Sequence, residues 1–166
     1  MRFLVALSFV LFLTACGFQP MYGKNKYTAI GVEEKLALVQ IENIPDREGQ
    51  YLRNELIDRF YRSGRPDNSR FSLQVRPVKE NLIELDITTE SDSTRGQLKM
   101  SSGFMLRDLK TNEVVLTRTI QAITSYNILS SEFSTRVSED NARLNALQDL
   151  SRQIEQQLNL YFKRTQ

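Results

Sequence analysis

Apolar and polar residues alternate through the middle of this chain, and that alternation restricts its fold more than any other feature. Phe71, Leu73 and Val75 fall on one parity, and so do Ile83, Leu85 and Ile87. The next run puts Leu98, Met100, Phe104 and Leu106 on one face. After the polar turn Asp108-Leu109-Lys110-Thr111-Asn112, the residues Val114, Leu116, Ile120 and Ala122 alternate again. Successive strand side chains point to opposite faces, so each run reads as a half-buried strand with one face on a core and one in water. Long strands in series predict an antiparallel meander. Pro77 cannot donate to a ladder, so an edge, a bend or a bulge is expected there. Thr88 to Gly96 (TTESDSTRG) is polar and lacks apolar anchors, which predicts a protruding hairpin tip.

The flanks follow different periods. Lys35 to Ile41 reads as a short strand, broken by Pro45 and Asp46. From Arg47 to about Arg62, Leu52, Leu56 and Phe60 recur at helical spacing with Ile57 beside them. Asp46 is the expected N-cap, and Ser63-Gly64-Arg65-Pro66 the stop. In the last third, Leu144, Leu147, Ile154, Leu158 and Tyr161 keep one helical face, with Leu150 and Phe162 on its flank. Ser138 is the expected cap there, followed by Glu139 and Asp140 where the macrodipole favours acids. Together these elements predict an α+β fold, a mixed, mostly antiparallel sheet of about four strands with two helices packed on one face. Residues 27–166 are expected to form it as a single domain.

The N-terminus carries an address. Met1-Arg2 is a short basic start, and Phe3 to Leu13 (FLVALSFVLFL) is almost unbroken apolar sequence. This run is the length of a signal-peptide core and well short of the roughly 20 residues of a spanning helix. Leu13-Thr14-Ala15-Cys16 follows at once, and this pattern resembles the lipobox of bacterial lipoproteins. The resemblance implies that residues 1–15 are a signal peptide and that Cys16 is acylated. Residues 16–26 are then a lipidated N-terminus and tether, rich in Gly and polar residues. Gly17, rather than Asp, follows the cysteine. By similarity to lipoprotein sorting signals, that implies the outer membrane, with the protein facing the periplasm.

Several chemistries are excluded. The chain has no histidine, and its single cysteine is Cys16. There is no imidazole base, no spare thiol nucleophile, no histidine or cysteine metal site and no internal disulfide. No glycine-rich phosphate loop follows a strand. Glu80, Glu84 and Asp86 share one parity and read as a solvated strand face. With 22 Lys and Arg against 20 Asp and Glu, no global field recruits nucleic acid. The expectation is a binding or structural protein, not an enzyme, without metal or cofactor.

From the cysteine onward the chain reads Cys16-Gly17-Phe18-Gln19-Pro20-Met21-Tyr22-Gly23. This start resembles the LptE family of lipopolysaccharide-assembly lipoproteins, as do the order and size of the elements that follow. The resemblance implies a protein that assembles with and plugs a lipopolysaccharide-exporting outer-membrane β-barrel of the LptD type. It also implies binding of lipopolysaccharide. A ligand with phosphates and acidic sugars needs positioned cations. Arg95 at the expected hairpin tip, with Lys99 and Arg118 on the strands that follow, are the candidates. The competing reading is an envelope scaffold or pilot lipoprotein docking on another secretion or assembly complex. A lipid carrier would need a closed barrel or a large groove, whereas these elements predict a filled core.

Overall fold

A computed structural model of the 166-residue chain describes residues 35–62, 64–65, 68–87 and 93–165. In chain order the elements are β1 (Val39–Ile41), α1 (Asp46–Phe60), β2 (Phe71–Val75), β3 (Lys79–Ile87), β4 (Ser93–Asp108), β5 (Val114–Asn127) and α2 (Glu132–Arg164). β4 is the spine of the sheet. One of its edges pairs antiparallel with β5, and the other pairs antiparallel with β3 and then β2. β1 adds to β2 in parallel. The right-handed crossover available to a β-α-β unit accounts for α1 lying between those two parallel strands. The fold is therefore α+β with a mixed, mostly antiparallel sheet, but of five strands where alternation had suggested about four.

The extra strand arises at Pro77. Val75 lies opposite Phe104, whereas Lys79 lies opposite Ser101. Arg76, Pro77 and Val78 therefore face only Ser102 and Gly103 on β4, which is one residue too many. The local polar groups are satisfied. Arg76 N donates to Gly103 O at 2.8 Å, and the buried hydroxyl of Ser102 donates to Arg76 O at 2.7 Å. Proline has no N–H to leave unpaired. The inserted residue reverses the parity of everything after it. Leu73 and Val75 face the core, but on β3 the core side passes to Glu80 and Leu82, opposite Met100 and Leu98. Ile83, expected inside with Phe71, Leu73 and Val75, lies opposite Gln97 on the other face; on this edge strand both Ile83 and Leu82 stay partly exposed, at 40% and 47%. Glu80, expected on a solvated face, meets Arg143 of α2 at 2.9 Å.

Both helices cover one face. Leu52, Leu56 and Phe60 of α1 and Leu147, Leu150, Ile154, Leu158 and Phe162 of α2 join Leu73, Leu98, Met100, Phe104 and Leu106 in one apolar cluster. Polar ties hold the layers in place. Arg59 of α1 donates to Ser151 Oγ and to Glu155 of α2, at 2.9 and 3.2 Å. Arg143 joins Glu80 to Glu139 and Asp140, and the hydrogen bonds it donates to Glu80 raise its pKa above even the usual arginine range. At the far end Arg70 and the Lys110 amide donate to Asp108, and the guanidinium holds that carboxyl below its ordinary pKa. The edge of β1 is closed from α1. Tyr61 OH donates to Val39 O at 2.7 Å and accepts from Ile41 N at 3.2 Å. Burial raises the Tyr61 phenol's pKa, which keeps it a donor.

Three boundaries differ from expectation. Residues 35–37 form a helical turn, so the first strand is only Val39–Ile41. Leu36 and Val39 are buried at helical spacing, while Leu38 between them is 39% exposed. Asp46 does not cap α1, because Pro45 occupies the cap position and Asp46 itself has φ 68°. α2 begins at Glu132, capped by Ser131 Oγ accepting from Ser134 N, and not at Ser138. The early turns bury nothing, and Phe133 and Val137 are exposed, so no apolar stripe marks them. Leu144 likewise points away from the core.

Gly49 makes a prediction against helix propensity. A Cβ there would lie 2.7 Å from Ile44 Cγ2 and 3.1 Å from the Ile44 backbone C and O. Glycine to alanine inside a helix normally stabilises by about 1 kcal/mol. Here the neighbour is the fully buried Ile44, whose β-branched methyl has nowhere to go and whose backbone stands just behind it, and overpacking costs about 1–3 kcal/mol. Gly49→Ala should therefore lower the melting temperature; a higher one in a thermal melt contradicts the packing.

Candidate functional site: the open face of the sheet

Both helices lie on one face of the sheet, and among the described residues no element covers the other, whose residues follow from the register. On β4 it presents Arg95, Gln97, Lys99, Ser101, Gly103, Met105 and Arg107, alternating with the buried Leu98, Met100, Phe104 and Leu106. On β5 the hydroxyl and amide residues from Thr117 to Asn127 share this face, with Ile123 set among them. On β3 the bulge brings Lys79 and Asn81 here, opposite Ser101 and Lys99. Arg76 crosses from the bulge: its Cδ would lie 3.3 Å from a Cβ on Gly103.

Along β3, β4 and β5 the charge on this face has one sign; the Glu42 carboxylate reaches the face at β2, where it accepts from Ser72 Oγ. Arg76, Lys79, Arg95, Lys99 and Arg107 line it, and among the described residues of β3, β4 and β5 no carboxylate shares it. The acids concentrate on the helices, many of them paired, as Glu139, Asp140, Asp149 and Glu155 are. Cations along a strand edge-to-edge with serine, glutamine and asparagine make a surface suited to an extended polyanion, with neutral donors between the charges. Met105, Ile83 and Ile123 interrupt it with apolar surface.

The candidates divide. Arg95 and Lys99 lie on the same face of one uninterrupted strand, roughly 13 Å apart along it. Arg118 does not join them. It pairs with the buried Phe104 and so belongs to the helix-covered side, at the free edge of β5. There it lines a cleft of about 510 Å³ against the C-terminal turns of α2. Cys16 and the tether lie outside the described residues, as does most of the hairpin tip. Lys79 and Arg76 were not anticipated, because counting parity straight across Pro77 puts Lys79 on the core side. Arg107 shares the parity of Lys99 and could have been read from it; its guanidinium braces the following turn through Asn112 O at 2.9 Å. Among the described residues no group of histidine, cysteine or carboxylate side chains is arranged to hold a metal ion.

The sequence over residues 35–159 matches the model of a family described as LptE, lipopolysaccharide-assembly. Among curated proteins none matches the sequence. Solved structures share the fold. A candidate lipoprotein from Caulobacter crescentus aligns over 80% of this chain and 96% of its own, at TM-score 0.63 and 18% identity. A minor lipoprotein from Acinetobacter baumannii covers 74% of this chain and 90% of its own, at 0.55 and 20% identity. Rare lipoprotein B from Shewanella oneidensis covers 72% and 90%, at 0.56 and 10% identity.

Proposed function

This chain belongs to the LptE family of lipopolysaccharide-assembly proteins, and from that premise we propose that it is an outer-membrane lipoprotein that assembles with and plugs the lipopolysaccharide-exporting β-barrel. It is held to the membrane by lipid on Cys16, faces the periplasm, and acts by binding and positioning rather than by catalysis. Residues 1–15 are the leader, 16–26 the tether, and the remainder one domain. The observation that carries this reading is the open sheet face, where β3, β4 and β5 present a row of cations among neutral polar groups with no described carboxylate on those three strands. The lumen of an outer-membrane barrel is polar, and a hydroxyl- and amide-rich sheet suits it. A phosphorylated glycolipid passing the same surface meets directional guanidinium and ammonium donors.

Two experiments test it. Tagged protein solubilised from outer membranes should co-purify with a large lipopolysaccharide-exporting barrel. Recovery with a different secretion or assembly complex instead would favour a pilot or scaffold role. The ligand face is tested by charge reversal. Hydrogen bonds to charged groups contribute about 1.5–3 kcal/mol each, and 1.4 kcal/mol is tenfold in affinity. Arg95→Glu with Lys99→Glu should weaken lipopolysaccharide binding at least tenfold at low salt, with less effect as salt screens the charges. The melting temperature should hold, because neither side chain belongs to the core. Arg118→Glu, on the other side of the sheet, should leave glycolipid binding intact. Equal affinity in the double variant at low salt would remove Arg95 and Lys99 from the site.

A further inference from the structure

The cleft beside Arg118 has a shape of its own. Its floor is the β5 segment from Val114 to Arg118, and its wall is α2 through Gln157, Leu160, Tyr161 and Arg164. Those four lie at helical spacings of three and four, so they form one stripe facing the strand. Among the described residues β5 pairs only with β4, and no described strand lies on its other edge. Alternate residues of an antiparallel strand direct their N–H and C=O groups to the same edge. Thr117 O accepts from Arg118 Nη1 at 2.9 Å, and Gln121 O accepts from Gln153 Nε2 of α2 at 2.8 Å. These side-chain donors mark the edge facing away from β4. Further along, α2 closes that edge through Gln153. At Thr117 the donor is an exposed guanidinium of the neighbouring residue, which an incoming N–H can replace.

A groove between an open strand edge and a helix accepts an extended peptide as an added strand. Its charge specifies what kind. Arg118 and Arg164 are both exposed, no carboxylate lines the cleft, and among the described residues neither guanidinium has an ion-pair partner. Val114 and Leu160, 45% and 48% exposed, supply apolar surface between them. We propose that this cleft is a docking site for an extended acidic segment of a partner protein, which adds to β5 as a further strand and sets its carboxylates against Arg118 and Arg164. A glycolipid phosphate would also suit the guanidinium groups, but it has no repeating main-chain donors and acceptors to satisfy a strand edge. The cleft's cations, Arg118 on the helix-covered side of β5 and Arg164 on α2, stand apart from Arg95 and Lys99 on the open face, so either site can fail while the other stands.

The test is a panning of random octapeptides against the intact protein in detergent. Enriched peptides should carry Asp or Glu at alternate positions. The best of them, synthesised, should lose at least tenfold in affinity against Arg118→Glu/Arg164→Glu. It should lose as much when alternate backbone amides are N-methylated with all charges kept, since only strand addition needs those amides. The variant should melt with the parent, both arginines being exposed. An absence of acidic enrichment overturns the proposal, as does an acidic peptide indifferent to either change. Purified lipopolysaccharide is the third arm. Glycolipid binding that falls in the double variant assigns the cleft to glycolipid and likewise overturns it.

Discussion

A chain that stops after Ser131 will not fold. Removing α2 strips the helix layer from β4 and β5, and with it Leu147, Leu150, Ile154, Leu158 and Phe162, each at most 1% exposed. Burying side chains of this size is worth about 1.5–3 kcal/mol each, so the set contributes roughly 7–15 kcal/mol. A domain's whole net stability is about 5–15 kcal/mol. The truncation also exposes Leu98, Met100 and Ile120 and leaves Glu80 without Arg143. α1 cannot compensate, because its ties run to α2 through Arg59 and Tyr51. Circular dichroism should show no cooperative thermal transition. A truncated chain that melts cooperatively at the parent temperature would contradict this architecture.

Cys16→Ser should abolish lipid labelling altogether. In the lipidation proposed for Cys16 the acyl-glycerol would attach through sulfur, and a serine hydroxyl is a far poorer nucleophile at neutral pH. Each buried CH₂ contributes about 0.8 kcal/mol to membrane binding, so a variant that gains no acyl chains should be released from membranes that hold the parent. Among the described residues no helix is long and apolar enough to cross a membrane. Cells given radiolabelled palmitate should label the parent and not the variant, whose leader should stay uncleaved by the lipoprotein peptidase. Normal acylation of the serine variant would sink the assignment of Cys16.

The meander and the two helices could be read from sequence because each has a single buried face, and burial on one face writes its period into the residue order. Where burial is absent the pattern is silent. The first turns of α2 carry exposed Phe133 and Val137, so the sequence pattern points to a start at Ser138 where the helix in fact begins at Glu132. Where the backbone adds a residue, the pattern is present but out of phase. Counting across Pro77 assigned Ile83 to the core and hid Lys79, although the proline itself marked the place. The site shows the same division. Arg95 and Lys99 sit on one uninterrupted strand, where parity holds. Arg118 shares its parity with Leu116 and Ile120, so grouping it with Lys99 overlooked the pleat.

The bulge also gives this strand a residue to spare. Without Pro77, Arg76 would lie opposite Gly103 and Val78 opposite Ser102, and Val75 through Lys79 would follow one register along β4. Lys79 would still lie opposite Ser101, and Glu80 opposite Met100 with Arg143 in reach. An in-frame deletion at this one place is therefore absorbed without carrying a side chain from one face to the other. The same deletion inside β4, which has no residue to give up, would turn over every residue beyond it.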